Sequence, residues 1–184
     1  MQIDSLVTAL DLVATFAFAI VGARIAASKG LDYGGIALIA AVASISGGTL
    51  RNLFMGQRPP WILNSWLFAS IALAVLITVI AKQKKPVGRF LLALDTFGLA
   101  VATVSSANFA ATNNANFISI VALGLIGGVT GGLLRDVLCQ VEPVLLHRET
   151  IGTSCLAGAL AYAGLHYLDV SEGLAAVIAG FIIV

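Results

Sequence analysis

The chain has 184 residues, of which 59% are hydrophobic and 10% are charged, with a formal net charge of +1 and a mean hydropathy of +1.02. Soluble domains carry roughly 25% charged residues, so this composition excludes an ordinary soluble protein and indicates a membrane protein. The sequence has no nucleotide-binding loop, nucleophile motif or metal-ligand spacing. We therefore expect no enzyme activity or catalytic residue, no bound metal or cofactor, and no nucleic-acid partner.

Apolar runs of about 20 residues, each long enough to cross a roughly 30 Å hydrocarbon layer as a helix, recur along the chain. Hydropathy and breaker residues predict seven spans. In chain order these cover residues 6–27, 34–55, 62–81, 90–107, 117–138, 149–168 and 171–184. The first run lacks the preceding basic residues of a signal peptide, so we interpret it as a retained span. The prediction is an all-α protein with one transmembrane domain over residues 1–184.

Basic residues are unequally shared between the two sides of the predicted membrane. One side receives only Arg51 and Arg58. The other side receives eight basic residues, namely Arg24, Lys29, Lys82, Lys84, Lys85, Arg89, Arg135 and Arg148. Because cytoplasmic loops are enriched in Lys and Arg, this distribution places the amino terminus outside and the carboxyl terminus in the cytoplasm. The expected location is the cell (inner) membrane, with the lipid bilayer as the surroundings.

An internal repeat appears when the chain is shifted by 84 residues. The coincident residues include Asp11 with Asp95, Gly47-Gly48 with Gly131-Gly132, Leu50-Arg51 with Leu134-Arg135, and Pro59 with Pro143. Repeat one covers about 6–81, repeat two covers about 90–168, and a seventh helix covers about 171–184. Each repeat holds three spans, an odd number, so the second repeat is expected to enter the membrane from the opposite side.

Glycines interrupt the second and fifth predicted spans at equivalent positions. They are Gly47 and Gly48 in one span and the sequence GGVTGG at 127–132 in the other. Glycine permits bends that free backbone carbonyls from the helical ladder. The alternative is close helix packing through small residues. Because the two sets coincide and each precedes an arginine, we predict glycine-broken second and fifth helices.

Arg51 and Arg135 each need a partner, because a charged side chain within a span is costly unless it is paired or hydrated. Asp11 and Asp95 lie at matching depths in the first and fourth spans. We predict the ion pairs Asp11–Arg51 and Asp95–Arg135, each closing one mouth of a route through the bundle. A purely architectural role is the alternative.

The predicted route is lined by hydroxyl groups and backbone oxygens, which can replace part of the hydration shell of a monovalent cation. The candidate lining residues are Ser44, Ser46, Gly47, Gly48, Thr49, Arg51, Asn52, Gly127, Gly128, Thr130, Gly131, Gly132, Arg135 and Asp136. The segment ANFAATNNANF at 107–117 is expected to be a polar outer loop, with Asn108 at a helix end.

The blocks DLVATFAFAIVGARIAA, GGTLRNLFMGQRPPW and GGVTGGLLRDVLCQVEPVLLHRE resemble the signature blocks of the prokaryotic trimeric intracellular cation channel family, also catalogued as a glycine-transporter-domain family. The resemblance implies a seven-helix protomer, a homotrimer with one pore per protomer, and K⁺ and Na⁺ as permeant ions. It assigns the kinks of the family's second and fifth helices to Gly47-Gly48 and Gly131-Gly132. Ser46 and Asn52 depart from the Gly-Gly-Gly and Arg-Asp that are common in the family's first block.

Three functions remain open from the sequence. The first is a passive monovalent cation channel, which we favour. The second is a secondary transporter of a small zwitterion such as glycine, which the same inverted repeat could bind. The third is a non-conducting scaffold or lipid-handling protein.

Overall fold

The computed structural model describes residues 5–81, 88–143 and 149–184, and these residues form helices joined by short connections. The helices are α1 (Ser5–Ser28), α2 (Tyr33–Phe54), α3 (Pro60–Leu63), α4 (Trp66–Ile80), α5 (Arg89–Thr112), α6 (Phe117–Leu138), α7 (Glu149–Tyr167) and α8 (Glu172–Ile183). Four of the described helices, α1, α2, α5 and α6, are long and apolar enough to cross a membrane, and α4 and α8 are shorter apolar helices.

Each predicted span coincides with a helix, with differences at the ends. The span predicted to begin at residue 62 is wrong at its start, because Pro60–Leu63 forms a separate short helix and α4 begins only at Trp66. Pro60 occupies the first turn of α3, where its missing N–H costs no hydrogen bond. A side-chain oxygen of Asn64 then accepts a hydrogen bond from the backbone N–H of Trp66.

The two halves of the chain use the same local devices 84 residues apart. The Asp32 side chain caps α2 by accepting from the Gly35 N–H at 2.7 Å, and the Asn116 side chain caps α6 by accepting from the Ser119 N–H at 2.9 Å. Each bond satisfies one of the free N–H groups that a helix start exposes. Left-handed residues also coincide, Gly30 with Asn114 (φ 79° and 58°) and Gly56 with Gln140 (φ 67° and 51°).

The four long helices at the centre pack as two antiparallel pairs. In the first pair, α1 and α5, Asp11 contacts Ser105, while Gly98 lies against Ala17 and Phe18 further along both helices. In the second pair, α2 and α6, small residues lie along the contact, as is usual where helices pack without a hydrophobic driving force.

The predicted glycine breaks in the second and fifth spans are wrong, because α2 and α6 are continuous helices through all their glycines. A Cβ atom added to Gly47 would collide with the Gly127 carbonyl, and one added to Gly131 would collide with the Ala43 carbonyl. These glycines therefore bring two helix backbones into direct contact. The alternative interpretation, close packing of helices through small residues, is therefore the correct one for these glycines.

The polar loop expected at 107–117 is also much shorter than predicted. Helix α5 continues to Thr112, and only 113–116 connect it to α6. Asn108 is a fully buried helical residue whose Nδ2 donates to the Tyr162 hydroxyl at 2.6 Å. Tertiary packing against α7 thus outweighs the weak helix propensity of this asparagine-rich segment.

Several of the basic residues used to predict orientation lie outside the described residues, namely Lys82, Lys84, Lys85 and Arg148. Of those described, Lys29 follows α1 and its Nζ lies 3.5 Å from the backbone oxygen of Gln140, which follows α6. The carboxyl ends of α1 and α6 are therefore at the same end of the bundle, as the alternation of spans requires.

Candidate functional site

A buried arginine joins α1, α2 and α5 at one end of the bundle. Arg51 donates from Nη2 to Asp11 Oδ2 at 2.9 Å and from Nη1 to Asp11 Oδ1 at 3.0 Å. Its Nε donates to Asn52 Oδ1 at 2.9 Å, and Nη1 also donates to Ser105 Oγ at 3.2 Å. The Phe109 ring covers the guanidinium, with Cζ 4.3 Å from the ring centroid. We call these five residues the Arg51 cluster.

A second buried arginine joins α5 and α6 toward the other end. Arg135 donates from Nη1 to Asp95 Oδ1 at 2.5 Å and from Nη2 to Asp95 Oδ2 at 3.0 Å. Its Nε donates to Asp136 Oδ1 at 2.8 Å. We call these three residues the Arg135 cluster. On α5, Asp95 and Ser105 are ten residues apart, so the two clusters are separated by about 15 Å along the helix.

Both predicted ion pairs are thus confirmed, while their role in gating stays a prediction. The Arg51 and Arg135 side chains are 1% and 2% exposed, whereas their Asp11 and Asp95 partners are 16% and 21% exposed. A buried guanidinium requires such bidentate, charge-assisted bonds to offset the cost of removing it from water. The partly open carboxylates leave each cluster in contact with a cavity.

The Arg51 cluster separates two cavities. The wider one, of about 180 Å³, opens at the end of the bundle where α2 ends, and we call it the vestibule. The narrower one, of about 30 Å³, lies deeper between α1, α2, α5 and α6, and we call it the central cavity. Asp11, Arg51, Pro60 and Leu67 border both cavities. Arg51 therefore stands at the junction between them.

The central cavity is small and partly hydroxylic. A volume of about 30 Å³ accommodates at most a few waters. Its lining residues include Thr15, Ser44, Ser106, Asp11 and Phe18, and the Ser44 hydroxyl donates to the Ala40 carbonyl of its own helix at 2.7 Å. Its lining therefore combines neutral oxygens with one negative charge at the Arg51 end.

The Arg135 cluster borders a third cavity of about 20 Å³, which shares no lining residue with the central cavity. The contacts of Gly47 and Gly131 with the opposite backbones lie at the α2–α6 crossing, on the floor of the central cavity. The predicted route is therefore not continuous in this structure: Arg51 and the helix crossing separate the three cavities.

The predicted lining residues fall into three groups by position. The central cavity and the vestibule are bordered by Ser44, Gly47, Gly48, Arg51, Asn52, Gly127 and Gly131, and by Asp11. The third cavity is bordered by Gly132, Arg135, Asp136 and Asp95. Ser46, Gly128, Thr49 and Thr130 border none of these three cavities.

Three of the residues that lie elsewhere make contacts within the bundle. Thr49 and Thr130 donate their hydroxyl groups to the carbonyls of Ile45 and Ile126 in their own helices. The Thr49 hydroxyl also accepts a hydrogen bond from Trp61 Nε1 at 3.1 Å. This bond joins α3 to α2. Gly128 packs against Thr103.

Sequence reasoning missed the contributions of α1, α3 and α5 to the cavities. Thr15, Ser105, Ser106 and Phe109 carry no motif, although Ser105-Ser106 is a polar pair within an apolar span. Such a pair inside a span is a usable signal, because intramembrane polar residues face the bundle interior. Nothing in the pattern of apolar residues places Pro60 over Gly48.

Comparison with known proteins places this arrangement in a family. The family model described as "Glycine transporter" matches twice, over residues 8–84 and 92–167. The chain is 32% identical over 161 residues to the UPF0126 inner membrane protein YadS of Escherichia coli (strain K12), covering 86% of this chain and 78% of YadS.

Two solved structures share the fold over nearly the whole chain. The TRIC trimeric intracellular cation channel orthologue from Rhodobacter sphaeroides superposes with a TM-score of 0.90 at 31% identity, covering 97% of this chain and 93% of that one. A second, from work on conductance through TRIC cation channels, gives a TM-score of 0.82 at 31% identity, with 96% and 88% covered. The protein is a multi-pass helical membrane protein, and since the family model covers both halves, the chain belongs to the glycine transporter (UPF0126) family.

Proposed function

We propose that the protein is a passive channel for monovalent cations, K⁺ and Na⁺, and that this structure is a closed conformation. The observation that carries the proposal is the position of Arg51, which stands between the vestibule and the central cavity and is held there by Asp11. Displacing one side chain would join the two cavities. The solved channels with the same fold support the same activity.

The chemistry of the cavities favours monovalent ions. Hydroxyl groups and a single carboxylate face the central cavity, whereas Ca²⁺ sites usually supply several carboxylates. Among the described residues, no group of three His, Cys, Asp or Glu side chains could hold a metal ion. A weakly charged lining suits an ion that must both enter and leave.

We further propose seven spans arranged as two inverted three-helix repeats and a last helix. The contact of Gly47 with the Gly127 carbonyl has a counterpart in that of Gly131 with the Ala43 carbonyl. The 84-residue shift relates Gly47 to Gly131 and Ala43 to Gly127. Each contact is therefore the symmetry equivalent of the other, as two-fold symmetry requires. The antiparallel packing of α1 with α5 and of α2 with α6 supports the same symmetry, which is common in transporters and channels.

The assembly and orientation follow from relatives and from charge. We propose a homotrimer in the inner membrane with one pore per protomer, because the solved neighbours are trimeric channels and YadS is an inner membrane protein. Lys29 and the carboxyl end of α6 share one end of the bundle, which we assign to the cytoplasm by the positive-inside rule. The vestibule then faces outward.

The protein is not an enzyme, as its channel neighbours are not. A secondary transporter of glycine is the second candidate. The vestibule favours it, because a cavity of about 180 Å³ bordered by Arg51 and Asp11 offers opposite charges to a small zwitterion. The description of the family model agrees with that reading.

Purified protein in a planar bilayer tests the two candidates directly. With a KCl gradient across the bilayer, the channel predicts unitary currents that reverse near the K⁺ equilibrium potential. In proteoliposomes, the transporter predicts saturable uptake of radiolabelled glycine without unitary currents, a result that would reject the channel. Bilayers fused with protein-free liposomes prepared in the same way control for leak from damaged bilayers.

A further inference from the structure

The two arginine clusters hold their guanidinium groups unequally. Asp11 and Asp95 make equivalent bidentate contacts with Arg51 and Arg135. The Nε partner differs, because Arg135 Nε donates to the Asp136 carboxylate while Arg51 Nε donates to the neutral amide of Asn52. Both bonds are charge-assisted because the guanidinium is ionised, but only Arg135 gains the attraction of a second negative charge. Arg51 has one carboxylate partner where Arg135 has two, and its other contacts, Ser105 Oγ and the Phe109 ring, are neutral.

The space beside the two arginines is also unequal. Arg51 borders the vestibule of about 180 Å³, whereas the cavity beside Arg135 measures about 20 Å³. A displaced guanidinium needs room and hydrogen-bond acceptors. The vestibule supplies both, since the side chains of Asn64, Thr112 and Asn113 lie on its wall. The cavity beside Arg135 has no comparable room.

We propose that Asn52 is a positioning residue that makes Arg51 the movable closure of the route, with Arg135 held in place. In this proposal, the Arg51 guanidinium leaves Asp11 and swings into the vestibule, which joins the vestibule to the central cavity and exposes the Asp11 carboxylate to an entering cation. A role for this motion in gating rests on the proposed channel function. Its motion is measurable without any current.

Labelling of a cysteine in the central cavity measures this motion. Ser44→Cys places a thiol on the cavity wall, in a background where the buried Cys139 and Cys155 are replaced by Ala. The protein is held in lipid nanodiscs, and the probe is Ag⁺, a small monovalent cation that binds thiols and fits a cavity of this size; the thiols that have not reacted are counted after denaturation. The reaction rate reports how often the vestibule and the central cavity communicate.

Asn52→Asp gives Arg51 the second carboxylate that Arg135 already has. We expect labelling to slow by about tenfold, because a second carboxylate beside the buried guanidinium raises the barrier to its departure. Asn116→Asp is the matched control, because it adds the same charge at the same end of the bundle, borders neither the vestibule nor the central cavity, and keeps the cap on the Ser119 N–H. We expect that control to label within about twofold of the parent.

The opposite substitution keeps the test decisive if Asn52→Asp fails to fold. Asn52→Ala removes the Nε acceptor, so labelling should become faster. Equal rates in the parent and in the folded Asn52 variants would overturn the proposal, as would equal slowing by Asn116→Asp. If labelling follows the prediction but the bilayer shows no current, the movable arginine stands and the channel function falls. Currents with unchanged labelling would instead support the channel function and reject the movable arginine.

Discussion

Gly47 and Gly131 make the same contact from opposite helices, each with its Cα against a backbone carbonyl of the facing helix. The carbonyls belong to Gly127 and Ala43, and neither can move without moving its helix. The α2–α6 crossing is therefore fixed by backbone contact, and side chains at its centre are excluded.

Gly47→Ala should destabilise the protein by about 1–3 kcal/mol, because the added methyl group must push two helix backbones apart. Thermal unfolding in detergent measures the change as a lower Tm. Gly164→Ala is the control, since a Cβ atom at Gly164 in α7 meets nothing within 4 Å. That variant should be neutral or slightly stabilised. Equal losses in both variants would contradict the role of the crossing.

Asp95→Asn should destabilise the protein by about 3–5 kcal/mol, because it leaves a buried guanidinium without its bidentate carboxylate. Asp11→Asn should destabilise it similarly and should also change single-channel conductance or open probability. Asp32→Asn is the control, since Asn caps a helix as well as Asp does and Asp32 only accepts from the Gly35 N–H. Unchanged conductance in both buried variants would leave the pairs with an architectural role alone.

The sequence predicts the two ion pairs, but it does not show whether α2 and α6 are broken or continuous at their glycines. Arg51 and Arg135 require partners inside a membrane, and one acidic residue lay at a suitable depth in each half, so sequence reasoning identified the pairs. Gly47 looks the same in sequence whether it bends a helix or admits a neighbouring backbone. The distinction depends on the Gly127 carbonyl, which is 80 residues away in the chain.

The lining of the cavities was only partly predictable for a similar reason. Ser44 faces the central cavity, but Thr49, five residues later on the same helix, bonds to Ile45 and Trp61. Which residues face the route depends on the rotation of α2 within the bundle, and a helix that is apolar on most sides does not reveal its rotation. The sequence predicts Asn108 at a helix end and not inside a helix, because its packing against Tyr162 is a long-range contact.

Tyr162→Phe should destabilise the protein by about 1–3 kcal/mol, because it leaves the buried Asn108 amide without this acceptor. The hydroxyl of Tyr162 accepts from Asn108 Nδ2 at 2.6 Å, and both side chains are buried. Tyr167→Phe, at a position 58% exposed, is the matched control and should leave Tm unchanged. A Tyr162→Phe protein as stable as the parent would show that α5 and α7 do not depend on this bond.

Gln140→Gly should stabilise the protein by about 1 kcal/mol, since a residue with a Cβ is strained in the left-handed region. Gln140 has φ 51°, and its counterpart 84 residues earlier, Gly56, is already glycine at φ 67°. Met55→Gly, where φ is −88°, serves as the control and should be destabilised. Thermal unfolding of the parent and the two variants measures whether each substitution raises or lowers Tm. A lower Tm for Gln140→Gly would contradict the assigned strain.

The reciprocal crossing restricts how far the two halves of this chain can diverge from one another in evolution. At the ends of the bundle the Nε partner of each arginine comes from the same half as the arginine, and these equivalent partners, Asn52 and Asp136, are different residues. At the crossing, however, a larger residue in either half intrudes on the backbone of the other. The two halves are therefore expected to diverge first at the ends of the bundle. The residues at the α2–α6 crossing are expected to stay small in both halves.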